Sequence, residues 1–322
     1  MINNNIIIFI ILISLAIDLL YGELPTIAHP VVIIGNLIEI FKKRLIKIKN
    51  KSSGMILTIC ICGLSAFILY VIYYFICLNN ILFIIISSVI LSTTFSIKML
   101  LDTASDVKKE LDKDINKARE SLSYLVSRNT DELSESFIVS AVIETLTENI
   151  TDSYTAVLFY YTVISIIIVK FNLSFYFLLS VPLLYRIFNT LDAMLGYKTD
   201  ELINIGFVPA KIDDILNFIP SRLSGLFIVA SAFILGYDYK NSFTTLINDA
   251  GNCPSPNSGY TMAPAAGALD IQLVKKDTYV LGDDINEISK DDISKAVRLS
   301  KMTIILFTIT FILILTGVIV WK

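Results

Sequence analysis

The chain has 322 residues, 55% of them apolar and 17% charged, with a formal net charge of −3 and a mean hydropathy of +0.71. That composition lies outside the range of soluble domains and inside that of polytopic membrane proteins, and so weak a net charge gives no basis for nucleic-acid binding. Of the four cysteines, Cys60, Cys62 and Cys77 sit inside one apolar run and Cys253 is alone in a loop; with a single histidine, this excludes a disulfide framework and a structural zinc site.

The first apolar run, Ile6 to Leu20, follows Met1 to Asn5, which carries no Lys or Arg, and no small-residue cleavage site comes after it. It therefore reads as a retained helix and not as a secretory signal. Further apolar runs follow at Met55 to Leu78, Ile81 to Ile97, Tyr154 to Phe171, Ser174 to Phe188, Leu223 to Tyr237 and Thr303 to Trp321. Those of about 17 residues or more can cross a hydrocarbon core of about 30 Å; the shorter ones are marginal.

Lys42, Lys43, Arg44, Lys47, Lys49 and Lys51 crowd the first loop, and Lys108, Lys109, Lys113, Lys117, Arg119 and Arg128 lie in the second long one. The positive-inside rule puts both loops in the cytoplasm, with the hairpin at Leu78 to Asn80 outside. The basic first loop also suits anionic lipid. After Asn189 the parity is awkward, because a full crossing by Leu223 to Tyr237 would place Lys275, Lys276, Lys290, Lys295, Arg298 and Lys301 outside. Either that run is re-entrant or interfacial, or Met262 to Leu273 returns into the membrane.

Within the polar insertion 98–136, Val107, Leu111, Ile115, Ala118, Leu122 and Leu125 recur at spacings of three and four, the pattern of an amphipathic helix. Arg128 to Asp131 breaks it, and a new helix is expected from about Ser134. The region 238–302 reads as polar loops with an amphipathic stretch at Asp291 to Leu299. The expected architecture is all-α: one polytopic integral membrane helical bundle over residues 1–322, with cytoplasmic amphipathic helices and motif-bearing loops. No internal repeat of the kind found in inverted-repeat transporters is visible.

Glu144-Thr-Leu-Thr-Glu148-Asn149-Ile-Thr-Asp152 spaces three carboxylates by four on an otherwise apolar helix. A four-residue step turns the helix by about 40° and climbs about 6 Å, so all three share one face. That face is either solvated at the membrane surface or coordinates or catalyses something. Arg186, Asn189 and Asp192, followed by Gly196, cluster at the end of another helix; Arg186 either snorkels or binds an anion. Asp213 and Asp214 are adjacent and point different ways, so at most one joins a metal site. Cys253-Pro-Ser255-Pro-Asn257-Ser-Gly259 reads as a rigid turn with hydroxyl and amide groups able to hold a ligand, and His29-Pro30 as a second turn.

Together these blocks resemble the CobD/CbiB family of membrane-bound cobalamin-biosynthesis proteins, adenosylcobinamide-phosphate synthases, over almost the whole chain. Asp18 to Pro25 with His29-Pro30 is similar to the family's opening signature, with Gly22-Glu23-Leu24 where Gly-Asp-Pro is usual. Arg128-Asn129-Thr130 resembles an Arg-Asp-Thr segment, and Glu144 to Asp152 the block Glu-Ser-Leu-Ala-Glu-Asn-Thr-Ser-Asp. Asn189 to Tyr197, Asp213-Asp214, Asn217 to Arg222 and Ser255 to Gly259 keep the family order. Cys253 stands where the family often has His, and Thr261-Met262 where it often has Pro-Glu, so no role for that histidine or glutamate carries over.

The resemblance implies amide formation between an aminoalcohol phosphate, such as aminopropanol phosphate, and a propionate of adenosylcobyric acid, with ATP as co-substrate and Mg²⁺ as metal. An acyl phosphate is the expected activated form, because amide formation from a free carboxylate is uphill in water. Expected metal ligands are Glu144, Glu148, Asp152, Asp192 and one of Asp213 and Asp214. Glu148 and Asp192 are the catalytic candidates, with Glu148 able to take the proton of the attacking ammonium. Substrate and phosphate contacts are expected from His29, Arg128, Asn149, Arg186, Asn189, Arg222, Ser255 and Asn257. No Walker loop is present, so an ATP site would be unconventional. The expected setting is the cell membrane, multi-pass, with motif loops mainly cytoplasmic; partners are the two substrates and the bilayer, with self-association or other cobalamin-pathway enzymes left open. Two other classes fit the bare residues: a Mg²⁺-dependent transferase acting on a lipid or polyprenyl phosphate, and a transporter or sensor.

Overall fold

The computed structural model describes residues 4–26, 29–126 and 128–321. Among these, the chain forms in order α1 (Ile6–Tyr21), α2 (Pro30–Leu45), α3 (Lys51–Ile76), α4 (Asn80–Ser92), α5 (Ile97–Leu111), α6 (Ile115–Ser123) and α7 (Glu135–Ile150). A π turn, Thr151–Thr155, leads into α8 (Ala156–Phe171), followed by α9 (Tyr176–Leu195), α10 (Phe207–Leu216), α11 (Phe218–Leu235), α12 (Tyr239–Asp249) and α13 (Gly259–Leu269). A two-stranded antiparallel hairpin, β1 (Leu273–Lys275) and β2 (Tyr279–Leu281), precedes α14 (Lys290–Val320). The protein is an all-α polytopic membrane protein. Among the described residues, six helical runs are long and apolar enough to span a membrane: Lys51–Ile76, Asn80–Leu111, Glu135–Phe171, Tyr176–Leu195, Phe218–Leu235 and Lys290–Val320; Ile6–Tyr21 is apolar but shorter.

The chain divides into two compact units. One comprises Met1–Ser96, Ala156–Leu216 and Thr310–Lys322, the other Ile97–Thr155 and Asn217–Ile309. In the first, α1 packs on α4, where the Ser14 hydroxyl donates to the Ile10 carbonyl at 2.6 Å and lies 3.0 Å from the Ser88 carbonyl. The Tyr161 hydroxyl donates to the Ile7 carbonyl at 2.7 Å. Hydroxyls that bond across or back along helices satisfy themselves where no water is at hand, as a lipid environment demands.

In the second unit, the stripe expected from spacing is buried: Val107, Leu111, Ala118 and Leu122 pack with Ile138, Val142 and Leu146 of α7, while Ile115 and Leu125 are partly buried against the same core. Each fully buried aliphatic side chain there contributes about 1.5–3 kcal/mol relative to exposure to water. The stripe belongs to two helices and not to one. Asp112 to Asp114 interrupts it, and the Asp114 carboxylate caps α6 by accepting from the Asn116 amide at 2.8 Å; an aspartate that finds a backbone N–H outside the helix favours a fresh start over continuation. Ser134 caps α7, as its position before the apolar run suggests.

The region 238–302 is largely ordered secondary structure. Helices α12 and α13 pack side by side, with the Ser242 hydroxyl donating to the Pro264 carbonyl at 2.7 Å and Asn241 Nδ2 to Asp270 at 2.8 Å. Every residue of α13 except the half-buried Tyr260 is buried, so Met262 to Leu269 is a helix of this unit's core. The amphipathic stretch at Asp291 to Leu299 is continuous with the last apolar run in the 31 residues of α14. Helix α11 begins five residues ahead of the apolar run at Leu223, and its 18 residues are enough to cross.

Gly225 of α11 lies directly against the Tyr260 carbonyl, with no room for a side chain. Gly225→Ala is expected to push α13 off α11 and cost about 1–3 kcal/mol. Thermal unfolding in detergent would show the loss, and an unchanged midpoint would contradict this packing.

Candidate functional site

In the second unit, Glu144 is 3% exposed, and both of its carboxylate oxygens are engaged. Arg128 Nη2 donates to Oε2 at 2.9 Å, the Tyr279 hydroxyl donates to the same oxygen at 2.9 Å, and the Ser140 hydroxyl donates to Oε1 at 2.6 Å. Ser140 in turn accepts the Val274 amide of β1 at 3.0 Å. Glu144 therefore fastens three separate pieces of chain, the Arg128 loop, α7 and the hairpin. A buried carboxylate needs such partners to remain charged.

One turn along α7, Glu148 is exposed and Asn149 half-buried. The charges acting on Glu148 are those of Asp152, Lys275 and Glu144. Asp152 lies in the π turn, where the i→i+5 pattern widens the helix, so the last four-residue step of the stripe departs from α geometry. The Thr155 hydroxyl reaches back five residues to the Ile150 carbonyl at 3.5 Å and pairs with Ser224 at 2.6 Å. The stripe thus separates into a buried anchor, Glu144, and an accessible acid, Glu148, with Asp152 half-buried beside it.

The Pro-Ser-Pro-Asn loop belongs to the same unit. Arg222 lies between the rings of Phe218 and Tyr260, 3.5 and 3.9 Å from their centroids. Its Nη1 donates to the Phe218 carbonyl at 2.7 Å and to Asn257 Oδ1 at 3.3 Å, and Nη2 to the Pro256 carbonyl at 3.4 Å. The Ser255 hydroxyl accepts the amides of Asn257 and Ser258 at 3.3 and 3.4 Å. Arg222 and Asn257 hold the loop's shape, and Asn257 is itself buried. At the loop's start, burial pushes the Cys253 thiol up to about 11, with Glu148 and Glu144 adding to the shift. Cys253 is thus a thiol beside the acids and not a nucleophilic thiolate.

The remaining sequence-predicted residues lie in the first unit. Arg186 Nη1 donates to Asn189 Oδ1 at 3.0 Å, and Asp192, half-buried, gives its backbone carbonyl to the Gly196 amide at 2.7 Å. Asp213 is 8% exposed, whereas Asp214 pairs with Lys211 at 2.9 Å, so the adjacent acids sit in different surroundings. His29 precedes α2 and is buried, and its Nδ1 has no hydrogen-bond partner among the described residues. Burial lowers its pKa from the ordinary 6.5, Glu23 opposes the shift and Arg186 adds to it.

The unfolded chain takes up the His29 proton near 6.5 and the folded protein resists it. The resulting stability is complete above 6.5 and is lost as pH falls below that value toward the folded pKa. His29→Gln should flatten the acid side of the stability profile, seen as a smaller drop in unfolding midpoint between about pH 7 and pH 5 than wild type shows. An identical slope would remove His29 from that balance.

Among the described residues, no group of three or more His, Cys, Asp or Glu side chains is placed to hold a metal ion. Glu144 is already occupied. The donor set that fits Mg²⁺ is the neighbouring pair Glu148 and Asp152, since this ion binds through one or two carboxylates together with substrate phosphates and retained waters. Sequence reading missed Ser140, Lys275 and Tyr279. The hairpin had a signal, Leu-Val-Lys and Tyr-Val-Leu around Lys-Asp-Thr, but strands of three residues barely register as alternation.

A family model described as CobD/Cbib protein matches residues 11–300. A probable cobalamin biosynthesis protein CobD of Methanothermobacter thermautotrophicus is 45% identical over 302 residues, covering 93% of this chain and 95% of its own. The cobalamin biosynthesis protein CobD of Leptospira interrogans is 35% identical over 322 residues, covering 95% and 97%. A probable CobD of Methanocaldococcus jannaschii is 35% identical over 324 residues, covering 97% and 98%. No solved structure matches the chain significantly.

Proposed function

This chain belongs to the CobD/CbiB family of cobalamin-biosynthesis proteins, and from that premise we propose that it is an amide-forming ligase joining an aminoalcohol phosphate to adenosylcobyric acid. The observation that carries the reading is the pairing of an anchored acid, Glu144, with an exposed one, Glu148, one turn further along the same helix. Membership in the pathway supplies a corrinoid substrate and a place at the membrane.

In this reading a propionate oxygen of the corrinoid attacks the γ-phosphorus of ATP, releasing ADP and leaving an acyl phosphate. The amine nitrogen then attacks the acyl carbon, its proton passes to Glu148, and the carbon–oxygen bond breaks to release phosphate. Glu148 or Asp152 would hold Mg²⁺, which would supply charge neutralisation for phosphoryl transfer when bound. Glu144 positions: its bonds to Arg128, Tyr279 and Ser140 fix the turn from which Glu148 projects. The motif loops are read as cytoplasmic.

The test is mass analysis of product from purified protein in detergent with adenosylcobyric acid, ATP, Mg²⁺ and either aminopropanol phosphate or ethanolamine phosphate. Amide product with ADP formed in equal amount is the expected result. Neither product nor corrinoid binding from folded protein would overturn the reading in favour of lipid-phosphate transfer or transport.

A further inference from the structure

The hairpin β1–β2 places a cation beside the acidic helix that the motif blocks do not include. Lys275 ends β1 and faces Tyr279 across the hairpin register, and the Tyr279 hydroxyl is bonded to Glu144. The neighbouring residue of β1, Val274, is tied to Ser140 through its amide. Lys275 is therefore mounted on a strand pair fastened to α7 at two points. Its ammonium lies 5.9 Å from the Tyr279 ring centroid, its charge acts on both Glu148 and Cys253, and the side chain is half-buried. It makes no ion pair among the described residues, whereas Arg128, the other cation of this site, is spent on Glu144.

We propose that Lys275 is the phosphate-binding cation of this site and pairs functionally with Glu148, the ammonium holding a phosphate monoester dianion and the carboxylate an amine. The inference rests on the ligase reading for the identity of the ligand. With Glu144 and Arg128 neutralising each other, the charges of Glu148 and Asp152 would still repel a phosphate dianion unless a further positive charge stands beside them. A lysine ammonium is a compact point charge suited to phosphate. An exposed carboxylate and a strand-mounted ammonium on one surface match a ligand with the opposite pair of charges, which is what an aminoalcohol phosphate is at neutral pH. The same chemistry would receive a terminal phosphate of ATP, so the test separates the two sources.

The probe is brief amine acetylation of the full-length protein in detergent, with the extent at Lys275 and at the adjacent exposed Lys276 read by peptide mass. Protection of Lys275 by several-fold with Lys276 unchanged is expected from inorganic phosphate and from one of the two physiological sources. Protection by aminopropanol phosphate assigns the aminoalcohol; protection by ATP alone assigns the nucleotide. Equal labelling with every ligand overturns the proposal. In the amide assay, Lys275→Met should raise KM for the protecting phosphate about tenfold or more with a smaller effect on kcat, and Lys275→Arg should restore part of it. A fall in kcat alone would make Lys275 a structural brace for Tyr279 and refute phosphate binding. Protection of Lys275 in a protein that forms no amide would reject the ligase reading while leaving the phosphate site standing.

Discussion

Glu148→Gln is expected to lower amide formation by about 10²–10⁴-fold, the range for loss of a positioned general base, while leaving the unfolding midpoint near that of wild type. The two halves of this result have different origins. Glutamine preserves the shape of an exposed side chain that braces nothing, so the fold is unaffected, yet it can neither take the ammonium proton nor offer a charged oxygen to a metal. Single-turnover product analysis separates chemistry from binding, and a variant with wild-type turnover would take Glu148 out of the reaction. Corrinoid binding by the variant should persist, because the loss lies in the chemical step.

Glu144→Ala should behave in the opposite way, as a stability variant first. Removing one partner of a buried ion pair strands the other, and here Arg128, Tyr279 and Ser140 all lose their acceptor. A cost of about 3 kcal/mol is expected, at the lower end for buried pairs because Arg128 is partly exposed. Arg128→Met combined with Glu144→Ala should recover part of that cost, since the uncompensated guanidinium is then gone. Thermal unfolding in detergent, read across both single variants and the double variant, checks the coupling; strictly additive effects would mean that the pair does not hold the site together.

Much of this was legible in the residues. Apolar length located the spanning runs but undersold Leu223 to Tyr237, whose helix gains crossing length from Phe218 to Arg222, and a three-and-four spacing from Val107 to Leu125 identified a buried face, because burial of one helical stripe is a local constraint. Ser134 as a helix start was legible for the same reason. What spacing could not supply was the division of labour within the acidic stripe. Glu144 and Glu148 differ only in what other segments bring to them, and the partners of Glu144 lie 16 residues upstream and 135 residues downstream. Short strands gave too little alternation to announce the hairpin that carries Lys275 and Tyr279. Asp112 to Asp114 shows the converse limit, where the apolar period runs on through a capping aspartate that restarts the helix.

The π turn at Thr151–Thr155 has a bearing on how length can vary in this helix. Such a turn holds one residue more than the α turn it interrupts. Elsewhere between Glu135 and Phe171, dropping one residue would rotate everything beyond it by about 100° and turn buried side chains outward. Within the π turn, a one-residue deletion can be absorbed by tightening to α geometry, with the phase of α7 and α8 kept. The place where Asp152 sits is thus also where the helix can tolerate a gap, so related chains that differ in length by one residue along this run should do so here.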